Sequence, residues 1–232
     1  MTQPAGGSTS PVTISIDIWS DIACPWCYIG KRKLEAGLES FAADRDTEVD
    51  ITYHSFELAP DTPVDFEGSE VDFLAGHKGM PTDQVEQMLA RVTQIAESVG
   101  LHYDFDSLKH TKTLTAHEAL HHAKEHGRQL ELMEALFAAY FEQGRHVGRM
   151  DDLVEIGASV GLDPDELRAA LASGKHANAV RQDVTQAQQY GISGVPFFVF
   201  NNKYGVSGAQ ESDTFAQVLT QVDDELRAGA AR

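Results

Sequence analysis

Apolar and polar positions alternate along Val12-Thr-Ile-Ser-Ile-Asp-Ile-Trp19, the period of a half-buried strand. Tyr28 to Phe41 then carries a helical period, and Val49-Asp-Ile-Thr-Tyr-His-Ser-Phe56 alternates again as a second strand. From Ala59 to Gly68 the chain is loop-like, punctuated by Pro60, Pro63 and Gly68. Beyond it almost every periodic segment is helical. Val85, Met88, Leu89, Val92, Ile95, Ala96 and Val99 form one stripe that stops at Gly100. Further helices are predicted over Leu114 to His126, Leu130 to Phe141 and Leu153 to Val160, each stopped by a nearby glycine. Asp163-Pro164-Asp165-Glu166 opens the next with an N-cap, a first-turn proline and a capping-box glutamate. Another runs from about Lys175 to Tyr190.

Strand chemistry returns at Pro196-Phe-Phe-Val-Phe200, a short apolar run suited to burial on both faces. Asn201-Asn202 turns it into Lys203-Tyr-Gly-Val-Ser207 as a hairpin. A last helix aligns Phe215, Val218, Leu219, Val222 and Leu226. The order β-α-β, helical block, helix, β-β-α is that of a thioredoxin fold with a large all-helical insertion, in the α/β class. The expected parts are a flexible tail over 1–11, a thioredoxin-fold domain over 12–58 and 191–228, and a helical insertion over 59–190. By geometry, the insertion leaves the end of one strand and re-enters just before Gly191–Pro196. It should cap the active-site end, with the Leu58–Pro60 region and the Thr113–His117 turn reaching inward.

A chain of 232 residues buries a sizeable core without covalent help. Its net charge of −18 makes nucleic acid and anionic membrane surfaces poor partners. The small-polar stretch 1–11 has neither a basic nor an apolar leader segment, and no apolar run reaches membrane-spanning length, so a cytoplasmic protein is expected. In that compartment disulfides are usually transient and catalytic.

That matters because the chain has two cysteines, both in Cys24-Pro25-Trp26-Cys27. The motif lies where a strand hands over to a helix, which is the setting of a redox C-x-x-C rather than of a metal site. With Cys24 as N-cap, Pro25 takes the first helical position, where its missing N–H is no loss. The Cys24 sulfur then faces unpaired amides and the positive end of the helix dipole, which favour a thiolate. Cys27, one turn on, lies close enough to close a disulfide. Two other readings compete: half of a zinc site completed by two histidines, and a structural bridge, whose loop is too short to stabilise much.

Asp21-Ile-Ala-Cys24-Pro25-Trp26-Cys27-Tyr28-Ile29-Gly30-Lys31 resembles the active-site segment of DsbA-like thioredoxin-fold oxidoreductases of the FrnE type, the dithiol-disulfide isomerase family. Gly191-Ile-Ser-Gly194-Val195-Pro196-Phe197-Phe198-Val199 resembles their cis-proline loop and Gly208-Ala209-Gln210 the turn after it. His54-Ser55-Phe56-Glu57-Leu58 and Thr113-x-x-Ala116-His117 are similar to family patterns too, so the likeness spans about 13 to 226. It departs from the family pattern at Ala59 and Lys112. The resemblance implies a cis Val195–Pro196 peptide facing the sulfurs and a thiol-disulfide oxidoreductase or isomerase with Cys24 and Cys27 catalytic. It needs no cofactor beyond the disulfide, with a low-molecular-weight thiol as a candidate co-substrate. Substrates are then thiol- or disulfide-containing proteins or a small thiol. Trp26, Val195 and Pro196 are the expected substrate-binding residues, and Tyr28 and His117 candidates for lining the site, although Tyr28 is expected to pack chiefly against the insertion. Asp21, Asp17 and Glu57 are candidate proton acceptors for Cys27.

Two alternatives remain. Thiol-dependent isomerases such as 2-hydroxychromene-2-carboxylate isomerase, and kappa-class glutathione transferases, are similar in architecture but need only one polar residue near position 24. His117-Glu118-Ala119-Leu120-His121 matches the zinc-hydrolase pattern H-E-x-x-H, with Glu142 as a third ligand. The histidines there are expected at the surface or between domains, and no metal is expected.

Overall fold

The computed structural model describes residues 13–230; the tail expected over 1–11 lies outside them. The chain runs β1 (Thr13–Ser20), α1 (Pro25–Ala42), β2 (Glu48–Ser55), then α2 (Glu70–Lys78), α3 (Thr82–Glu97), α4 (Leu114–Glu125), α5 (Gln129–Phe141), α6 (Met150–Ser159), α7 (Pro164–Ala172) and α8 (Ala177–Gln189). It closes with β3 (Phe197–Phe200), β4 (Tyr204–Ser207) and α9 (Ser212–Ala230). The strands form one sheet in the order β2-β1-β3-β4. β1 pairs β2 in parallel, and β3 antiparallel to both β1 and β4. This is a thioredoxin-type sheet with helices inserted between β2 and β3.

The period of two in β1 decides which helix covers which face. Ile14, Ile16 and Ile18 enter the main core with Leu34 and Phe41 of α1 and Phe215 and Leu219 of α9. Trp19 faces the other way, onto Ala187, Ile192 and Val199. α1 and α9 touch so closely at Gly37 that a Cβ there would stand 2.8 Å from Phe215 Cβ and from the Ser212 carbonyl.

α8 therefore belongs with the sheet: it is the crossover helix on the face opposite α1. It also packs on α4, with His121 bonded to Asp183, and so joins the sheet to the other helices of the span 59–190. Local chemistry sets the element ends elsewhere. Ser69 and Asp72 close a reciprocal capping box on α2, and Gly79 stops it at φ 63°. The hydropathy pattern does not mark α2 as an element of its own, because so short a helix shows no continuous apolar stripe. At α7 the Asp163 carboxylate accepts from the Asp165 and Glu166 amides. That cap is one-sided, without the Glu166 half of the expected box. The hairpin turns where expected, with Asn201 and Asn202 both at positive φ. No helix of the described residues is long and apolar enough to cross a membrane.

Candidate active site

Cys24 is the N-cap of α1, with extended backbone at φ −94° and ψ 111°, and Pro25 opens the helix. Its amide donates to the Asp21 carbonyl at 3.1 Å and its carbonyl accepts from the Cys27 amide at 3.0 Å. The turn thus carries both sulfurs at the C-terminal end of β1. Both are free thiols and both are buried, Cys24 at 3% and Cys27 at 2% exposure. The Val195–Pro196 peptide is cis, and the Cys24 thiol donates to the Val195 carbonyl at 3.5 Å. A side chain at Gly30 would come within 3.0 Å of Pro196 Cγ, so the smallest residue lets α1 approach the proline loop.

Cys24, but not Cys27, opens into a cavity of about 320 Å³. Trp26, 39% exposed, forms part of its rim with Val195. The insertion supplies much of the rest: Phe73 and Leu74 from α2, Leu89 and Val92 from α3, and Thr113 at the start of α4. Leu58 and Ala59 also line it. Deep in the wall His110 Nδ1 and Glu70 Oε2 pair at 2.7 Å, with His110 stacked on Phe73. A second tie joins insertion to redox turn, since Tyr103 donates its hydroxyl to the Pro25 carbonyl at 2.7 Å.

Burial pushes the Cys27 thiol well up, and the Cys24 sulfur adds to the rise; the Ser20 hydroxyl and the Asp21 backbone offset part of it. A buried high-affinity thiol beside a cavity-facing one is the asymmetry that two-step exchange requires, in which one sulfur meets the substrate and the other acts only on the first.

The three carboxylates considered as proton acceptors separate by environment. Asp17 lies on the opposite sheet face, bonded to His54 Nε2 at 2.7 Å, because β1 alternates. It is placed away from Cys27. Asp21 is buried at the redox turn, where it accepts from the Leu58 amide at 2.8 Å and faces His117 Nε2 at 3.4 Å. Burial alone would raise it, but His117, the Leu58 amide and Thr113 together hold it below the usual carboxylate range. Glu57 is half-buried, and burial raises its proton affinity; its Oε1 is enclosed without a hydrogen-bond partner. Burial thus raises Glu57 where its neighbours lower Asp21.

Two other candidates sit behind the site. Tyr28 does not line the cavity: it is buried against Phe137 at a ring distance of 4.9 Å and donates to Glu134 Oε1 at 2.7 Å. Glu134 also pairs with Lys31 at 2.6 Å and with Arg32. Burial opposes its charge, yet these partners bring it down to about 2, tying α1 to α5. His117 does not line the cavity either. Its Nε2 lies 3.0 Å from the Phe56 carbonyl and reaches the site only through Asp21. His121, four residues on, is bonded to Asp183 at 3.0 Å, and Glu142 accepts from the His102 amide at 2.8 Å. The H-E-x-x-H pattern and its third ligand therefore point to different partners and make no hydrolase centre.

Ser20, Glu70, Tyr103 and His110 were not marked by the sequence. Ser20 reads as one more polar position of β1. The other three lie in helices and loops with no motif, and the fold alone brings Glu70 and His110 to the cavity wall and Tyr103 to Pro25.

A family profile, the DSBA-like thioredoxin domain, matches residues 15–220. The chain belongs to this family. Among solved DSBA-like structures, a probable DsbA oxidoreductase from Streptomyces coelicolor is 39% identical, superposes with a TM-score of 0.84, and the match covers 91% of each chain. The cytosolic disulfide reductase DsbM from Pseudomonas aeruginosa, solved with GSH, shares the fold at 21% identity and a TM-score of 0.64, over 90% of this chain and 99% of its own. Among curated proteins, the uncharacterized protein YwbO of Bacillus subtilis is 25% identical over 213 residues, 90% of this chain and 97% of the relative. Cys24, Cys27 and the Val195–Pro196 loop all fall inside the DSBA-like match.

Proposed function

We propose that this DSBA-like protein is a FrnE-type thiol-disulfide oxidoreductase that exchanges a Cys24–Cys27 disulfide with protein or low-molecular-weight thiols. The observation that carries this is Cys24 itself: a helix N-cap sulfur beside the Val195 carbonyl, opening into a cavity that Cys27 does not reach. In the oxidising direction a substrate thiolate attacks Cys24 of the disulfide. A substrate–Cys24 bond forms, the Cys24–Cys27 bond breaks, and Cys27 leaves as a thiolate and takes up a proton. A second substrate thiolate then displaces Cys24, so the substrate loses two electrons and the enzyme gains them. In the reducing direction Cys24 attacks a substrate disulfide and Cys27 resolves the mixed disulfide.

Trp26 and Val195 offer a substrate an apolar rim and a backbone edge, which suits extended peptides of varied sequence. Cytoplasmic location is part of this reading and is supported by the fold shared with a cytosolic disulfide reductase. The test is Cys27→Ser, which leaves Cys24 without its resolving thiol. Mixed disulfides with many proteins, recovered and identified by mass spectrometry, support the reading; wild-type protein that neither reduces insulin nor oxidises a dithiol peptide defeats it.

The enclosed cavity also favours a second reading, a thiol-dependent isomerase or transferase, since it has room for a small apolar substrate beside Cys24. Such an activity would survive Cys27→Ser, whereas net dithiol oxidation would not.

A further inference from the structure

Away from the redox centre, α4 meets the turn between α7 and α8 at a group of histidines. His122 projects from α4 and His176 caps α8, at 3% and 5% exposure. Neither ring nitrogen of His122 has a hydrogen-bond partner, and both are enclosed; His176 Nε2 is likewise unpartnered. Buried imidazole nitrogens are ordinarily satisfied, so three bare ones at one place call for a ligand. One donor atom each from His122, Glu125 and His176 lies within 4.8 Å of the others. Among the described residues no other set of His, Cys, Asp or Glu side chains meets that spacing. The site is reached from solvent through a surface groove lined by Glu166, Ala169 and Ser173.

We propose that His122, Glu125 and His176 bind a divalent late transition-metal ion of the zinc class, pinning α4 to the start of α8. Two imidazoles and a carboxylate suit that class of ion rather than calcium or magnesium, which take oxygen donors. Donors of a tetrahedral zinc site lie about 3.3 Å apart, from metal–ligand distances of about 2.0–2.1 Å. A pair at the 4.8 Å limit must therefore close by about 1.5 Å: the half-exposed Glu125 side chain can move in, and the His122 and His176 rings, 5.8 Å apart between centroids, must turn toward each other. His126, its ring 4.5 Å from that of His122, is the nearest further imidazole for a fourth position. Lys175 opposes the ion: its ammonium holds Glu125 Oε2 at 2.6 Å and must give way on binding. The sequence pattern H-E-x-x-H is a poor guide here. The ligands include His122, one residue past that motif, and His176, which is remote in sequence and brought in by the fold.

The test uses the full chain carrying Cys24→Ser and Cys27→Ser, so that the thiols cannot compete for metal. Cobalt(II) is titrated in while its visible d–d bands and the thermal midpoint are followed, and zinc is then added as competitor. The expected result is one cobalt per chain with tetrahedral-type bands, displaced by zinc, and a thermal midpoint that rises with metal. His122→Ala and His176→Ala should each weaken binding about 100-fold or more, at least what loss of an outer hydrogen-bond partner costs. Lys175→Gln alters an exposed residue and should tighten binding several-fold. Absence of saturable one-to-one binding overturns the proposal, as does affinity unchanged by both histidine variants. Should those variants fail to fold, a Lys175→Gln protein with no gain in affinity overturns it equally.

Discussion

Asp21→Asn tests what the buried carboxylate at the redox turn does. The substitution keeps size and removes charge. Asn can still accept from the Leu58 amide, which now sits 2.8 Å from Oδ2, so that bond survives in neutral form. What is lost is the carboxylate contact with His117 Nε2 at 3.4 Å and the charge assistance to the amides of Leu58 and Ala23. His117 keeps the Phe56 carbonyl at 3.0 Å, which limits the damage. Hydrogen bonds to charged groups contribute about 1.5–3 kcal/mol, and roughly one such interaction disappears, so a loss of about 2 kcal/mol is expected. For a chain of this size that lowers the thermal midpoint by about 4–8 °C. The sign with pH is set by the depressed folded value. The advantage of Asp21 over Asn is fully present above the ordinary Asp value of 3.8 and is lost as pH falls through the lower folded value. Urea unfolding over acid pH gives the stability term, and single-turnover exchange with a dithiol peptide gives the chemistry. If Asp21 positions the turn, the pH profile of Cys27 release stays where it was while stability drops. An Asn variant as stable as wild type at neutral pH, or one whose exchange profile shifts, would falsify this account.

Near neutral pH an alkylating reagent should modify Cys24 well before Cys27, because only Cys24 lines the cavity and burial raises the Cys27 thiol; equal rates in a mass-resolved time course would count against it. Asp183→Asn should destabilise by about 3 kcal/mol, since it strips the charge facing His54 at 2.9 Å and His121 at 3.0 Å. Asp183 is depressed and His54 raised, so this network contributes fully between the ordinary values of 3.8 and 6.5; it fades below the first as Asp183 protonates and above the second as His54 deprotonates. Urea midpoints measured across that range decide it, and a variant matching wild type there sinks the idea. Gly37→Ala should lower the thermal midpoint even though alanine is the better helix former by about 1 kcal/mol. The new Cβ meets the Ser212 carbonyl, which cannot rotate away, and a midpoint at or above wild type would show that α9 yields freely.

Much of the frame was legible because it rests on local rules. The alternation in β1 and β2, the proline and cap at α1, the Asn201-Asn202 turn and the stripes of α3 and α9 are each dictated by residues a few positions apart. So was the place of Cys24 and Cys27 at a strand-to-helix junction, which their spacing and the proline between them mark locally. α2 escaped notice because its capping box marks its start while no apolar stripe runs along it.

What only the tertiary structure decided are the contacts between segments distant in the chain. Sequence listed Asp17, Asp21 and Glu57 as equals. The pleat sends Asp17 to the far face with His54, the fold brings His117 and the Leu58 amide to Asp21, and Glu57 is left with a bare enclosed oxygen. A proton affinity is set by burial and neighbours, and neither is encoded at the residue itself. The same holds for Tyr103, which touches Pro25 only because the insertion folds back over the turn, and for His122 and His176, which share one site across more than fifty residues. Local sequence could specify the sulfurs, but the walls of their cavity and the charges behind them depend on packing between helices that no short-range pattern records.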